Sequence, residues 1–291
     1  MTDTAVIDMR EAHTKKAKKQ KVKSPRKQAV KLVIGLVFLM IVYDFFIVIV
    51  MELFGLEFDK IPNNLALLSG ELGTGLTALT CMLAAKKHTG KSLGTVTKFK
   101  GFDWSVPLVL TVFSWAAAEV SDHICGSVLC HFMSINPNDD LPTTAVSIIC
   151  TVLLAPLFEE VIFRYSFMGI IKERFGKAFT IIFPTVIFAA VHLYNLQGFG
   201  NVLVGTLVAA TIYYHTENIL YLMLEHALHN ALCKIDFSKL SLFGVPVYHE
   251  QNGFVLAGMP YFILNIVLLA LCIVWFVKYF IPRYCHTQSA E

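Results

Sequence analysis

Three stretches of this chain place ionisable side chains inside apolar sequence. The first holds Glu159, Glu160 and Arg164, the second Phe188 and His192, and the third Glu225, His226, His229 and Asn230. A charged side chain in hydrocarbon costs about 2.5–3.5 kcal/mol on insertion scales, so each such group needs a partner or a task. Helical spacing divides them. Residues four apart are neighbours on one face, which pairs Glu160 with Arg164, Phe188 with His192, His226 with Asn230 and Glu225 with His229. Glu159 is turned about 100° from Glu160 and gains no partner within its own stretch.

A carboxylate, two histidines and an asparagine around one cavity suit water-mediated hydrolysis of a peptide bond. A desolvated glutamate can serve as general base with a histidine helping to hold and deprotonate the water. A second histidine and the asparagine amide can donate hydrogen bonds to an oxyanion. No nucleophile motif competes: G-x-S-x-G is absent, and Ser166 lies outside the polar set. Two histidines and a glutamate could also ligate zinc, although the H-E-x-x-H helix is missing. From these residues alone a hydrolase, a non-catalytic polar clamp and a proton-coupled transporter all remain open.

The elements that must position these groups are membrane helices. Of the 291 residues 56% are hydrophobic and 15% charged, and mean hydropathy is +0.62. A soluble domain is nearer 45–50% apolar and about 25% charged. The surplus falls in runs of about 20 residues, the length that crosses a bilayer core, and the alternation of barrel strands is missing. The fold class expected is therefore all-α and polytopic. About eight transmembrane helices are predicted over 32–53, 64–85, 106–129, 143–171, 178–196, 201–215, 218–233 and 260–281. At 1.5 Å per residue, Glu159, His192, His226 and Asn230 all fall about 14–22 Å from the nearer cytoplasmic helix end. A shared buried site is thus geometrically possible.

Charge placement supports the even count. The basic tail with Arg10, Lys15, Lys16, Lys18, Lys19, Lys21, Lys23, Arg26 and Lys27 stays in the cytoplasm by the positive-inside rule and is drawn to anionic lipid. Lys86, Lys87, Lys91, Lys98, Lys100, Lys172, Arg174, Lys177, Lys278 and Arg283 fall on the same side. Glu52, Glu57, Asp59, Asp139 and Asp140 fall opposite, with Lys60, Lys234 and Lys239 as exceptions. No cleavable signal peptide is expected, nor nucleic-acid binding, for which a folded or aromatic-interleaved basic module is lacking. Seven cysteines form no C-x-x-C pair; Cys125 and Cys130 could bridge, without any other sign of a disulfide framework. Asp44, Glu71, Glu119 and Asp122 are read as structural groups facing the bundle or a wet cavity. Gly70, Gly73 and Gly75 are read as permitting close helix approach, and Trp104 and Trp115 as interface anchors or packing. The apolar 234–259 loop is expected to lie in the interface or cap the bundle.

Glu159-Glu160-x-x-x-Arg164, Phe188-x-x-x-His192 and His226-x-x-x-Asn230, in that order on three predicted spans, resemble the signature of the CAAX protease and bacteriocin-processing family. These are eight-helix intramembrane proteases of the type II CAAX prenyl endopeptidase kind, known in bacteria also as Abi proteins. The resemblance covers about 156–232; the N-terminal half is similar in hydropathy only. It implies Glu159 as the base that activates water with help from His192, and His226 and Asn230 as the oxyanion site. It implies Glu160 and Arg164 as a structural pair, with Phe188 in support, and a glutamate-dependent peptidase with no metal and no cofactor. The layout expected is a disordered basic tail over 1–31, one helical membrane domain over 32–284, and a short cytoplasmic tail over 285–291. The partners expected are a peptide or protein precursor (a prenylated CAAX-type tail, a pheromone or a bacteriocin leader) and the lipid bilayer. The expected location is a bacterial plasma membrane with both termini cytoplasmic. The alternatives are a non-enzymatic immunity or scaffold protein and, less well supported, the transporter.

Overall fold

The computed structural model describes residues 24–56, 62–133, 144–193 and 198–285. Most of the basic tail, and the acids Glu57, Asp59, Asp139 and Asp140 with Lys60, lie outside the described residues.

Among the described residues eight α-type helices follow the eight predicted spans in order. They are α1 Pro25–Leu53, α2 Asn63–Thr89, α3 Ser105–Leu129, α4 Ala145–Lys172, α5 Lys177–Val191, α6 Phe199–Thr216, α7 Ile219–Leu232 and α8 Met259–Cys285. Five of them, α1, α2, α3, α4 and α8, are long and apolar enough to cross a membrane, and α5 is a shorter apolar helix. α1 starts at Pro25, so residues 25–31 of the expected tail are helical. Proline suits a helix's first turn, where its missing N–H has no acceptor to lose. Arg26 holds this end by donating to the Arg174 carbonyl at 3.0 Å.

α4 is the central helix. Val161 through Met168 are buried without interruption, as expected for a helix surrounded on every side by others. α2, α5, α6 and α7 pack around it. Two segments of α4, Ile149–Leu154 and Val161–Met168, are wound as π-helix, and Ser166 Oγ donates to Val161 O five residues back at 2.8 Å. The glycines of α2 divide. A Cβ on Gly75 would come within 3.2 Å of the Phe158 ring of α4, and one on Gly73 within 2.8 Å of Asp44 Oδ1 of α1. Gly70 faces open space, so close approach does not account for it.

The loop after α7 folds into two antiparallel hairpins that the helical reading did not foresee. These are β1 Ser241–Leu242 with β2 Val245–Pro246, and β3 Tyr248–Gln251 with β4 Phe254–Ala257. Phe254 and Leu256 are buried beside Cys130 at the end of α3, so this segment caps the bundle. A Cβ on Gly258 would collide with the Pro246 carbonyl oxygen, which fits glycine where the hairpins hand over to α8. Cys125 and Cys130 are both free thiols.

Candidate active site

Glu160 is the most enclosed charge of the predicted set, 2% exposed, with Arg164 at 3%. Arg164 Nε lies 3.2 Å from Glu160 Oε2, an ion pair by distance although its angles do not make a hydrogen bond. The other oxygen, Oε1, accepts from His226 Nδ1 at 3.2 Å. A carboxylate only accepts, so the proton of this contact sits on Nδ1. Glu160 is therefore more than the partner of Arg164: it also ties α7 to α4.

Phe188 connects the second motif to the first. The Arg164 guanidinium lies over its ring at 4.9 Å, and the His192 imidazole stacks on it at 4.5 Å with planes 20° apart. His192 Nδ1 donates to the Phe188 carbonyl at 2.8 Å, which makes Nε2 the proton-accepting nitrogen of the neutral ring. α5 ends at Val191, so His192 caps that helix instead of lying inside a span that runs on to residue 196. Pro184 within α5 did not reveal this end.

Glu159, His192, His226 and Asn230 line one cavity of about 420 Å³ bounded by residues of α2, α3, α4, α5, α6 and α7. Glu159 Oε2 is buried with no hydrogen bond among the described residues. Asn230 Nδ2 donates to the Thr151 carbonyl of α4 at 2.7 Å. Three further ionisable groups face the same space: Glu71, Glu225 and His229. Glu71 Oε2 and His229 Nδ1 are, like Glu159 Oε2, buried and without hydrogen bonds among the described residues. Glu225 is buried beside Ser114, and no hydrogen bond joins it to His229 among the described residues, so that expected pair does not form. The charge of Glu71 within an apolar helix was the available signal for its place here; spacing along α2 could not say what it faces. Among the described residues no group of three or more His, Cys, Asp or Glu is arranged to hold a metal ion.

A second space flanks the same two helices. Phe102, Trp104, Pro156, Leu157, Met223 and Ala227 are among the side chains that line an apolar groove of about 520 Å³. It lies along the α4–α7 seam, on the face of both helices turned away from the polar cavity.

Residues 141–232 match the family described as type II CAAX prenyl endopeptidase Rce1-like. That segment, about a third of the chain, is similar to the Rce1-like family. It contains all three motifs and the whole of α4 through α7, and with the five span-length helices it points to an integral membrane protein. No curated protein and no solved structure shows a significant match to the chain.

Proposed function

We propose that this chain is an intramembrane endopeptidase in which Glu159 and His192 activate water and His226 and Asn230 receive the oxyanion. The observation that carries the reading is the single cavity lined by these four side chains from three helices, with one Glu159 oxygen buried and without a hydrogen bond among the described residues. The match to an Rce1-like family supports it. In the first step Glu159 takes a proton from water, and the oxygen forms a bond to the scissile carbonyl carbon. The carbonyl electron pair moves to its oxygen. When the tetrahedral species collapses the C–N bond breaks, and the proton held by Glu159 passes to the leaving amine. His226 can donate to the oxyanion only with a proton on Nε2 as well as Nδ1, that is, as imidazolium with Glu160 as counter-ion.

The substrate proposed is a peptide or protein precursor held at the membrane, with a prenylated CAAX-type tail favoured over a pheromone or bacteriocin leader. The family's description and the apolar groove beside the catalytic helices support that choice. We place all eight helices in the membrane as one domain over 32–284, with both termini cytoplasmic and the basic tail near anionic lipid.

The test is cleavage of a farnesylated peptide ending in a CAAX sequence by the full chain in lipid nanodiscs. Glu159→Gln keeps the side-chain size and removes the base, and should lower turnover by about 10²–10⁴-fold. The scheme uses no metal, so turnover should survive exhaustive chelation. Cleavage by Glu159→Gln at the wild-type rate rules the scheme out. Peptidomics of membranes carrying wild type or Glu159→Gln then identifies the natural substrate.

A further inference from the structure

α4 carries a proline three residues before Glu159, at a place where its chemistry shows. Residues Ile149–Leu154 run in π register, in which each N–H bonds the carbonyl five residues back. The Ala155 N–H accordingly goes to Cys150 O. The next bond in that register would run from residue 156 to Thr151 O, and Pro156 has no N–H. Thr151 O therefore has no donor from residue 156, and the N–H of Ala155, its α-register donor, is directed at Cys150. The Thr151 hydroxyl is engaged elsewhere, donating to Ser147 O at 2.8 Å.

That backbone oxygen is the one Asn230 Nδ2 reaches at 2.7 Å. A carboxamide nitrogen carries two N–H groups. Committing one to Thr151 fixes the amide plane and leaves the second for the cavity that Asn230 lines with Glu159. An oxyanion donor acts through such pre-orientation, since it then needs no reorganisation during the reaction.

We infer that Pro156 is a positioning residue: its missing N–H leaves the Thr151 carbonyl to hold the Asn230 carboxamide so that its second N–H faces the cavity. The catalytic consequence rests on the proposed hydrolase; the geometric part does not. Pro156→Ala supplies an N–H that competes for Thr151 O, and alanine is the stronger helix former, so helix formation is not put at risk.

The experiment uses the full chain in nanodiscs, labelled with ¹⁵N-asparagine, and assigns the Asn230 side-chain resonance by its loss in Asn230→Asp. In Pro156→Ala that resonance should shift and lose its protection from solvent exchange. On the farnesylated peptide, Pro156→Ala should lower kcat by about 10²-fold, as loss of one oxyanion donor does; a change in KM reports on the apolar groove that Pro156 also lines. Added to Asn230→Ala it should lower kcat no further, because both changes remove one interaction. An unchanged Asn230 resonance in Pro156→Ala overturns the inference, and so do additive losses in the double variant. If wild type leaves the peptide uncut while the resonance still shifts, the hydrolase reading falls and the positioning geometry stands. Asn230→Asp gives a second check, independent of activity. It sets an acceptor against Thr151 O and should lower the thermal midpoint, and adding Pro156→Ala should restore that midpoint by giving the carbonyl a backbone donor. Failure to restore it counts against the inference.

Discussion

Arg164 is held from two sides, by the carboxylate of Glu160 at 3.2 Å and by the ring of Phe188 at 4.9 Å. Removing one member of a buried ion pair leaves an uncompensated charge, which costs about 3–5 kcal/mol. Arg164→Met should therefore destabilise the fold by about that much, and Glu160→Gln in the same chain should recover part of the loss. Reversible unfolding in mixed micelles measures both. At this scale the sequence was informative wherever partners share a helix. Glu160 with Arg164 and Phe188 with His192 were legible because four residues bring side chains onto one face. His226 with Glu160 is a contact across 66 positions, and nothing in local spacing encodes it. Asn230 was legible as a member of the site but not its hold on Thr151. That contact depends on a π register, which the apolar pattern of α4 does not announce.

Between elements, Asp103 is the point where three helices meet. Its Oδ1 caps the start of α3, accepting from Ser105 N at 3.1 Å and Ser105 Oγ at 2.6 Å. Its Oδ2 accepts from Tyr279 at 2.9 Å and Tyr284 at 3.1 Å at the end of α8, and its backbone N–H donates to Tyr221 of α7 at 3.1 Å. Burial acts to raise the carboxyl pKa, but the hydrogen bonds from Ser105, Tyr279 and Tyr284 outweigh it and hold the group below the ordinary aspartate value. A carboxyl depressed in the folded state adds stability that is fully present above its unfolded pKa and disappears as pH falls through the folded one. Asp103→Asn should thus lower stability at neutral pH and flatten the loss of stability below about pH 4, read as the thermal midpoint across an acid titration. The helices of this junction were foreseen to within a few residues, since apolar runs of span length are a strong signal. The hairpins over 241–257 were not. Their strands are two to four residues long and depend on burying Phe254 and Leu256 against α3, a tertiary contact without a periodic trace.

In the whole molecule, three of the helices that line the cavity are shorter than the other five. α5, α6 and α7 have 15, 18 and 14 residues, whereas the five span-length helices have 25–29. At 1.5 Å per residue the short three reach about 22, 27 and 21 Å, against a hydrocarbon core of about 30 Å. His192 lies where one of these short helices stops. A stretch shorter than the bilayer is accommodated by local thinning of the lipid. With α5–α7 in the membrane, the leaflets would pinch beside the cavity, bringing headgroups and water toward Glu159 without a pore. Hydrolysis needs that water, so hydrophobic mismatch becomes a means of hydrating the reaction. Turnover of the farnesylated peptide should rise as nanodisc lipids are shortened from 22-carbon to 14-carbon chains, and a rate indifferent to chain length would argue against the idea. The bilayer would then be a working part of the site, its thickness setting how readily water, one of the two reactants, arrives.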